Sequence, residues 1–454
     1  MEMTMLNQLL TNPVLWGIVT MLGAVVARVN ILVSIVLGSL VGGLMGGLSL
    51  NGTICAFQTG LAGGTPLALT YALVGGFASA IAYSGTVEWL LACLLRHVDR
   101  PDRPASPRRI RRILIPLFLV LGLLCKNIFP MHIAFIPIVI PPLLPLMNRA
   151  GLDRRMVACL LAFSLVVAFM VIPFGFGHIF LHDMLAMCLA RDGIAVNTAT
   201  MLRAMVIPFA AMAIGLAVAI FLSYARPKYY DADITAKALA RRPVPCAFRR
   251  RHLVTVLLAL ATSLAVQAIS GGNMTMGTVC GLLVITAGGI APLRRMDAMV
   301  TDGFRVMTLV GLVVIAAAGF SEVLRMTGGV EELVSLMISA THGCRAIAVL
   351  CALLIGLLLT LGLGSAFATV PIVSALFVPL GRDIGLSPFA TLTLVAVSAL
   401  LGEPGSPMGS TTLGPAAGLA DDGQFDHLRD SVWPTFLHFN VPLLLIGWLA
   451  ILWL

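Results

Sequence analysis

Residues 135–177, FIPIVIPPLLPLMNRAGLDRRMVACLLAFSLVVAFMVIPFGFG, align without a gap on residues 369–411, TVPIVSALFVPLGRDIGLSPFATLTLVAVSALLGEPGSPMGST. The offset is a constant 234, and 12 of the 43 positions are identical. Pro137, Pro145, Gly151, Pro173 and Gly175 fall on Pro371, Pro379, Gly385, Pro407 and Gly409. Shorter anchors repeat on either side. Gly76-Phe77 and Gly85-x-Val87-Glu88 match Gly319-Phe320 and Gly328-x-Val330-Glu331, and Leu202-Arg203-x-x-Val206-x-Pro208 matches Leu428-Arg429-x-x-Val432-x-Pro434. A duplicated apolar chain, interrupted by Pro and Gly at matching points, has the pattern of a secondary transporter with its site where the broken segments meet.

Composition sets the solvent. The chain has 454 residues, of which 59% are hydrophobic and only 11% charged, and its mean hydropathy is +1.01. That is too little charge to cover a soluble protein and reads as a polytopic helical membrane protein, with the lipid bilayer as its surroundings. The net charge of +9 sits in short loops between apolar runs, so it does not argue for nucleic acid. No cleavable signal is evident, and the first apolar run reads as a span. The nine cysteines form no CxxC pair and read as structural thiols in helices. P-loop, HExxH and GxSxG signatures are missing, so the chain is read as no enzyme and no cofactor is expected. Uphill transport would then draw on an ion gradient.

Apolar segments of spanning length run roughly 12–28, 31–50, 65–84, 154–190 (interrupted) and 203–225, then 253–270, 274–293, 306–326, 388–413 (interrupted) and 432–454. Segments 113–147 and 347–381 are too long for one span and break near their middles, at Lys126-Asn127-Ile128-Phe129-Pro130 and Gly362-Leu363-Gly364-Ser365. Each reads as a re-entrant hairpin, tolerated where it is buried in protein or lines a wet cavity. Five spans per repeat invert the second repeat relative to the first. With 96–112 cytoplasmic, the cytoplasmic segments hold 23 of the 29 Lys and Arg residues. The expected fold is therefore an all-α polytopic membrane protein with two inverted-topology repeats of five transmembrane helices, each with a re-entrant hairpin and a discontinuous helix. The first repeat covers 1–225, a basic cytoplasmic linker 226–251, and the second repeat 252–454. Arg-rich 96–112 and 226–251 read as topology determinants, with a lipid or regulatory site as the other reading.

Glu403 leads the candidate residues. It follows an apolar run near the membrane midplane, where an ionised carboxylate is costly and usually functional. Pro404 and Pro407 remove donors and Gly405 permits unwinding, so carbonyls here are expected to lack helical partners. With the hydroxyls of Ser406, Ser410, Thr411 and Thr412 they make an oxygen-rich site suited to a hard cation such as Na⁺. The same carboxylate can carry a proton; the plainer alternative is a Glu hydrogen-bonded between helices. Its repeat-1 equivalent is Phe169, which biases the ion site toward repeat 2. Ser365 and Thr369, at the second hairpin tip, are expected as further ligands, against the ordinary alternative of bonding their own i−4 carbonyls.

In the first repeat, Lys126, Asn127 and His132 lie near the hairpin tip, and Pro173-Phe174-Gly175-Phe176-Gly177-His178 forms the break. Lys126 has three readings: neutralising Glu403, binding an anionic substrate, or snorkelling to an interface. His178 reads as a proton relay or solute contact, or as a packed histidine. Glu88 and Glu331 read as solvated helix starts, and Glu322 with Arg325, three apart, as an ion pair. Asp421, Asp422, Asp426, His427, Arg429 and Asp430 read as a solvated loop, with a pH response as the second reading.

The stretch from about Gly362 to Trp448 resembles the C-terminal part of a bacterial Na⁺/H⁺ antiporter family within the ion transporter superfamily. The resemblance rests on Gly364-Ser365-x-Phe367-x-Thr369-Val370-Pro371-Ile372, Gly405-Ser406-Pro407, Thr412-Leu413-Gly414-Pro415 and Pro434-Thr435-Phe436-x-His438-x-Asn440. It implies inverted five-helix repeats, paired hairpins, and cation and substrate sites at hairpin tips and helix breaks. Carried over, it points to Ser365, Thr369, Glu403, Gly405, Ser406, Pro407, Ser410 and Thr411, and it implies a homodimer. The family commonly has Asp where this chain has Glu403.

The resulting expectation is an inner-membrane secondary transporter working by alternating access. Its leading form is Na⁺/H⁺ antiport, with Glu403, Ser365, Thr369, Gly405, Ser406, Ser410 and Thr411 around the cation or proton, and Glu403, Ser365 and Thr369 as metal ligands. The alternative is Na⁺- or H⁺-coupled uptake of a small polar solute, such as an amino or organic acid, contacted by Lys126, Asn127, His132, Gly175 and His178. A channel or a non-transporting scaffold is disfavoured by hairpins that meet at paired breaks.

Overall fold

The computed structural model describes residues 10–62, 64–86, 89–90, 93, 106–127, 132–240, 249–290, 293–341 and 343–454. Among them all regular structure is helical. The first half contains α1 (Pro13–Val26), α2 (Ile31–Met45), α3 (Leu50–Leu61), α4 (Thr65–Tyr83), α5 (Pro107–Asn127), α6 (His132–Val139), α7 (Arg154–Val171), α8 (176–191) and α9 (Thr198–Ser223). A short α10 (Ala232–Ala240) follows. The second half contains α11 (Arg250–Ile269), α12 (Met274–Ala287), α13 (Leu293–Met326), α14 (Gly329–Ala340), α15 (Arg345–Leu363), α16 (Ala366–Asp383), α17 (Pro388–Leu400), α18 (Ser410–Leu419) and α19 (His427–Trp453).

Seven described helices are long and apolar enough to cross a membrane, and an eighth crossing is available from the pair Gly311–Met326 and Gly329–Ala340, bent by 76°. Burial sorts them. Arg154–Val171 and Ala366–Asp383 are each 83% buried and Pro388–Leu419 is 94% buried, against 33–39% for Arg250–Ile269, Thr198–Ser223 and His427–Trp453. Helices apolar all round but only a third buried have a solvent other than water, whereas the three buried ones form the protein interior. These three carry both helix breaks and the second tip.

Local signals set the ends. Asn12, Asp153 and Ser387 cap α1, α7 and α17 with their side-chain oxygens. Gly328 and Gly364 end α13 and α15 in left-handed conformations that bend the chain sharply. The breaks expected in 154–190 and 388–413 are present at 172–175 and 401–409, and 347–381 divides at Gly364-Ser365. In 113–147 the helices stop at Asn127 and resume at His132; Ile128, Phe129 and Pro130 lie outside the described residues. The outline differs in three places, two of them helices that lie outside the expected segments, α3 (Leu50–Leu61) and α14 (Gly329–Ala340). The expected loop at 294–305 is instead the beginning of a single 34-residue helix, α13. Nothing in 293–305 forbids helix, since Gly303 costs only about 1 kcal/mol there.

Candidate functional site

Glu403 begins a one-turn 3₁₀ segment between α17 and α18 and is only 2% exposed. Pro404 and Pro407 supply no N–H, so the α-helical ladder cannot continue through this stretch. The α16 N-terminus meets it: the backbone N–H of Ala366 donates to Glu403 Oε2 at 2.8 Å. A carboxylate is favoured there by the unpaired N–H groups of the first turn. The Ser406 hydroxyl donates to the Leu361 carbonyl at 2.9 Å, and a Cβ on Gly364 would lie 2.9 Å from the Met408 carbonyl. The second tip and the second break therefore interlock.

The first half repeats the arrangement. Asn127 at the end of α5 donates through Nδ2 to the Ala168 carbonyl at 2.8 Å, beside the break. Gly175 adopts φ 64°, and a Cβ there would lie 3.0 Å from the Asn127 carbonyl. Lys126, 3% exposed, directs Nζ at three phenyl faces: Phe169 at 5.0 Å, Phe176 at 5.6 Å and Phe367 at 5.9 Å from the centroids. Phe169 and Phe176 flank the first break and Phe367 lies at the start of α16, at the second tip, so the first break and the second tip share one aromatic wall. Tyr71 of α4 closes it, 5.3 Å from the Phe176 ring and 6.0 Å from that of Phe367. Lys126 and Glu403 are close enough to interact electrostatically, as are Tyr71 and Glu403, but Lys126 makes no contact ion pair among the described residues. An ammonium on phenyl faces gains cation–π attraction while its hydrogen-bonding donors stay uncommitted.

The expected hydroxyl ligands divide into two sets. The hydroxyls of Thr369, Thr411 and Ser406 donate to the carbonyls of Ser365, Glu403 and Leu361 and brace the tip and break. Thr369 thus follows the i−4 alternative. The side chains of Ser365 and Ser410 make no such bond and stay partly exposed. Gly405 provides room: a Cβ would lie 2.9 Å from both amide atoms of Asn440. His132 opens α6, but its side chain lies outside the described residues, as does Glu88. His178 does not join Lys126. It lines a separate cavity of about 380 Å³ with Thr70, Asp183, Asn273 and Thr275, stacks on His182 at 4.6 Å and approaches Asp183 at 3.9 Å. Among the described residues no group of three or more His, Cys, Asp or Glu side chains could hold a metal ion. A cation at Glu403 would thus depend on carbonyl and hydroxyl oxygens.

Sequence reasoning missed Tyr71, quoted Phe367 and Asn440 only as residues of the family motifs without a role at the site, and used Phe169 only as a repeat equivalent. Asn440 is 1% exposed with neither amide atom bonded, inside the π turn Phe436–Asn440. Such turns recur at functional positions, but nothing in the sequence marks one. Glu322 and Arg325 do not pair with each other. Glu322 bonds Arg191, and Arg325 bonds Asp192, whose carboxylate also accepts from Ser374 at 2.5 Å. Asp422 and Asp430 are buried rather than solvated.

Buried paired breaks in a multi-pass apolar chain define a membrane transporter, and the relatives agree. The model of the Na⁺/H⁺ antiporter family matches residues 160–448, and that of a second Na⁺-H⁺ antiporter family matches 12–98. An uncharacterized membrane protein of Haemophilus influenzae is 37% identical over 98% of this chain and all of its own length. The Bacillus subtilis protein named "Putative amino acid transporter YuiF" is 36% identical over 97% of this chain and 99% of its own. Solved structures of Neisseria gonorrhoeae MtrF, from a class of antimetabolite efflux pumps, and of the Alcanivorax borkumensis YdaH transporter each superpose with a TM-score of 0.54. They are 13% and 16% identical and cover 88% and 89% of this chain and 82% and 89% of their own, a likeness of fold. The chain belongs to the Na⁺/H⁺ antiporter family.

Proposed function

We propose that this protein is an inner-membrane Na⁺/H⁺ antiporter built from two inverted repeats, 1–225 and 252–454, joined by the basic linker 226–251. In this reading α5–α6 and α15–α16 are re-entrant hairpins, and α7–α8 and α17–α18 are the discontinuous helices. The observation that supports it is that Glu403 at the second break and Lys126 at the end of α5 are both buried and within electrostatic reach of each other. With both ionised, the couple is neutral. Na⁺ arriving at Glu403 adds a charge that the aromatic wall does not screen, and the cheapest way to restore neutrality is release of one proton from the couple. One Na⁺ is thereby exchanged for one H⁺. Glu403, Ser365, Ser410 and the carbonyls around Gly405 hold the ion, while Thr369, Ser406 and Thr411 keep the tip and break in register.

A second reading is favoured by the uncommitted donors of Lys126 beside Asn127. These suit the carboxylate of a small solute, in keeping with the name of the B. subtilis relative. The deciding measurement is Na⁺-induced proton movement in proteoliposomes under an imposed pH gradient, wild type beside Glu403→Gln and Lys126→Met. Antiport requires dissipation in wild type that falls at least about a hundredfold in each variant. A wild type that leaves the gradient untouched sinks antiport. Gradient-driven uptake of a labelled amino or organic acid would then establish the second reading.

A further inference from the structure

Two buried amide oxygens are used by neither reading of the Glu403–Lys126 couple. Asn127 is 4% exposed and Gln267, on α11, is 5% exposed; Asn127 Oδ1 and Gln267 Oε1 accept no hydrogen bond among the described residues. The orientation of Asn127 follows from its partner, because the Ala168 carbonyl can only accept and so takes Nδ2. Gln267 Nε2 donates to the Ser263 hydroxyl at 3.2 Å. Both residues line one chamber, with Ser263 and Thr278 as its remaining polar walls and Phe77 and Leu260 among its apolar ones. Its volume of about 10 Å³ matches one water-sized centre. A buried carbonyl oxygen without a donor costs free energy, and two on residues that line one chamber call for an explanation.

We propose that this chamber is a binding site for a small monovalent cationic centre, either Na⁺ itself or the ammonium head of a solute. Neutral oxygens without a carboxylate suit a single charge, whereas a divalent ion would demand acidic ligands. The chamber shares Met274 with the 380 Å³ cavity lined by Thr70, Asp183 and Thr275. A flexible methionine at this junction can yield to a passing ligand. An ammonium head would sit between Asn127 and Gln267, with the body of its solute in the larger cavity. Because Asn127 belongs to α5 and Gln267 to α11, the occupant bridges two helix groups and favours the arrangement in which they meet.

The test uses full-length protein in detergent, in a Glu403→Gln background that removes the other cation site. Thermal stability is titrated with NaCl or methylammonium chloride against choline chloride at constant ionic strength. A saturable rise is expected, with its half-saturating concentration raised about tenfold by Gln267→Leu and lowered by Gln267→Glu. A rise with Na⁺ alone identifies an ion site; a rise with methylammonium alone identifies a solute head group. The idea is overturned if neither salt raises stability, which leaves a water-holding chamber, or if Gln267→Leu titrates like its parent. Should Gln267→Leu not purify as a monodisperse species, the opposite shift required of Gln267→Glu decides. Loss of proton exchange in Glu403→Gln does not bear on this outcome.

Discussion

Arg154 is completely buried, and both terminal nitrogens of its guanidinium are bonded. It pairs bidentately with Asp422 at 2.6 and 2.7 Å, donates to the Leu419 carbonyl at 3.0 Å, and stacks 4.2 Å above the Tyr230 ring. Thr235 of α10 donates to the same carboxylate at 2.7 Å. The basic linker is therefore clasped to both halves through one ion pair. Burial alone would raise the Asp422 pKa, but the bonds from Arg154 and Thr235 and the guanidinium charge outweigh it and bring it to about 2. A depressed folded value means the stabilisation is complete above the unfolded value near 4 and is lost as pH falls through about 2. Asp422→Asn leaves a buried guanidinium uncompensated and should cost about 3 kcal/mol at neutral pH, with Arg154→Met on top recovering at least half. Chemical denaturation in detergent measures both, and an Asn variant as stable as wild type would refute the clasp.

Elements succeed or fail at their breaks. Gly364 holds φ 67° between α15 and α16, against the Met408 carbonyl. A side chain there meets a left-handed penalty of about 1–2 kcal/mol and pushes the tip off the 403–409 break. Gly364→Ala should therefore reach the membrane but lose transport at least tenfold, measured by flux per unit of inserted protein; near-normal flux would mean the interlock is dispensable. This tip was legible because Gly and Pro write their backbone consequences locally, as at Gly364, Gly175 and Pro404. The start of α13 was not, because a basic, polar helical turn looks like a loop until its neighbours are known. The phenyl wall around Lys126 was equally hidden. Phe169, Phe176 and Phe367 are ordinary apolar residues in sequence and come together only when the first break meets the distant second tip. Glu322 and Arg325 illustrate the same limit, since i,i+3 spacing favours their pairing and tertiary packing supplied better partners in Arg191 and Asp192.

At the scale of the molecule, the constant offset of 234 residues makes a geometric demand. If the chain holds two inverted repeats with an odd number of spans, as proposed above, equivalent residues lie on opposite membrane faces and the basic residues gather on one side. Arg149 and Asp383 are such equivalents, both exposed, one at the end of the helical turn before α7 and the other at the end of α16. A cysteine-free background carrying Arg149→Cys or Asp383→Cys separates the topologies in intact cells and inverted vesicles. An impermeant thiol reagent should label position 149 only from the cytoplasmic face and position 383 only from the outside. Labelling of both from one face would make the repeats parallel, and hairpins entering from opposite sides would go with it. The Glu403–Lys126 couple would then lack the two-sided access that exchange demands, because a single site serves both compartments only when the surrounding halves can open to each in turn.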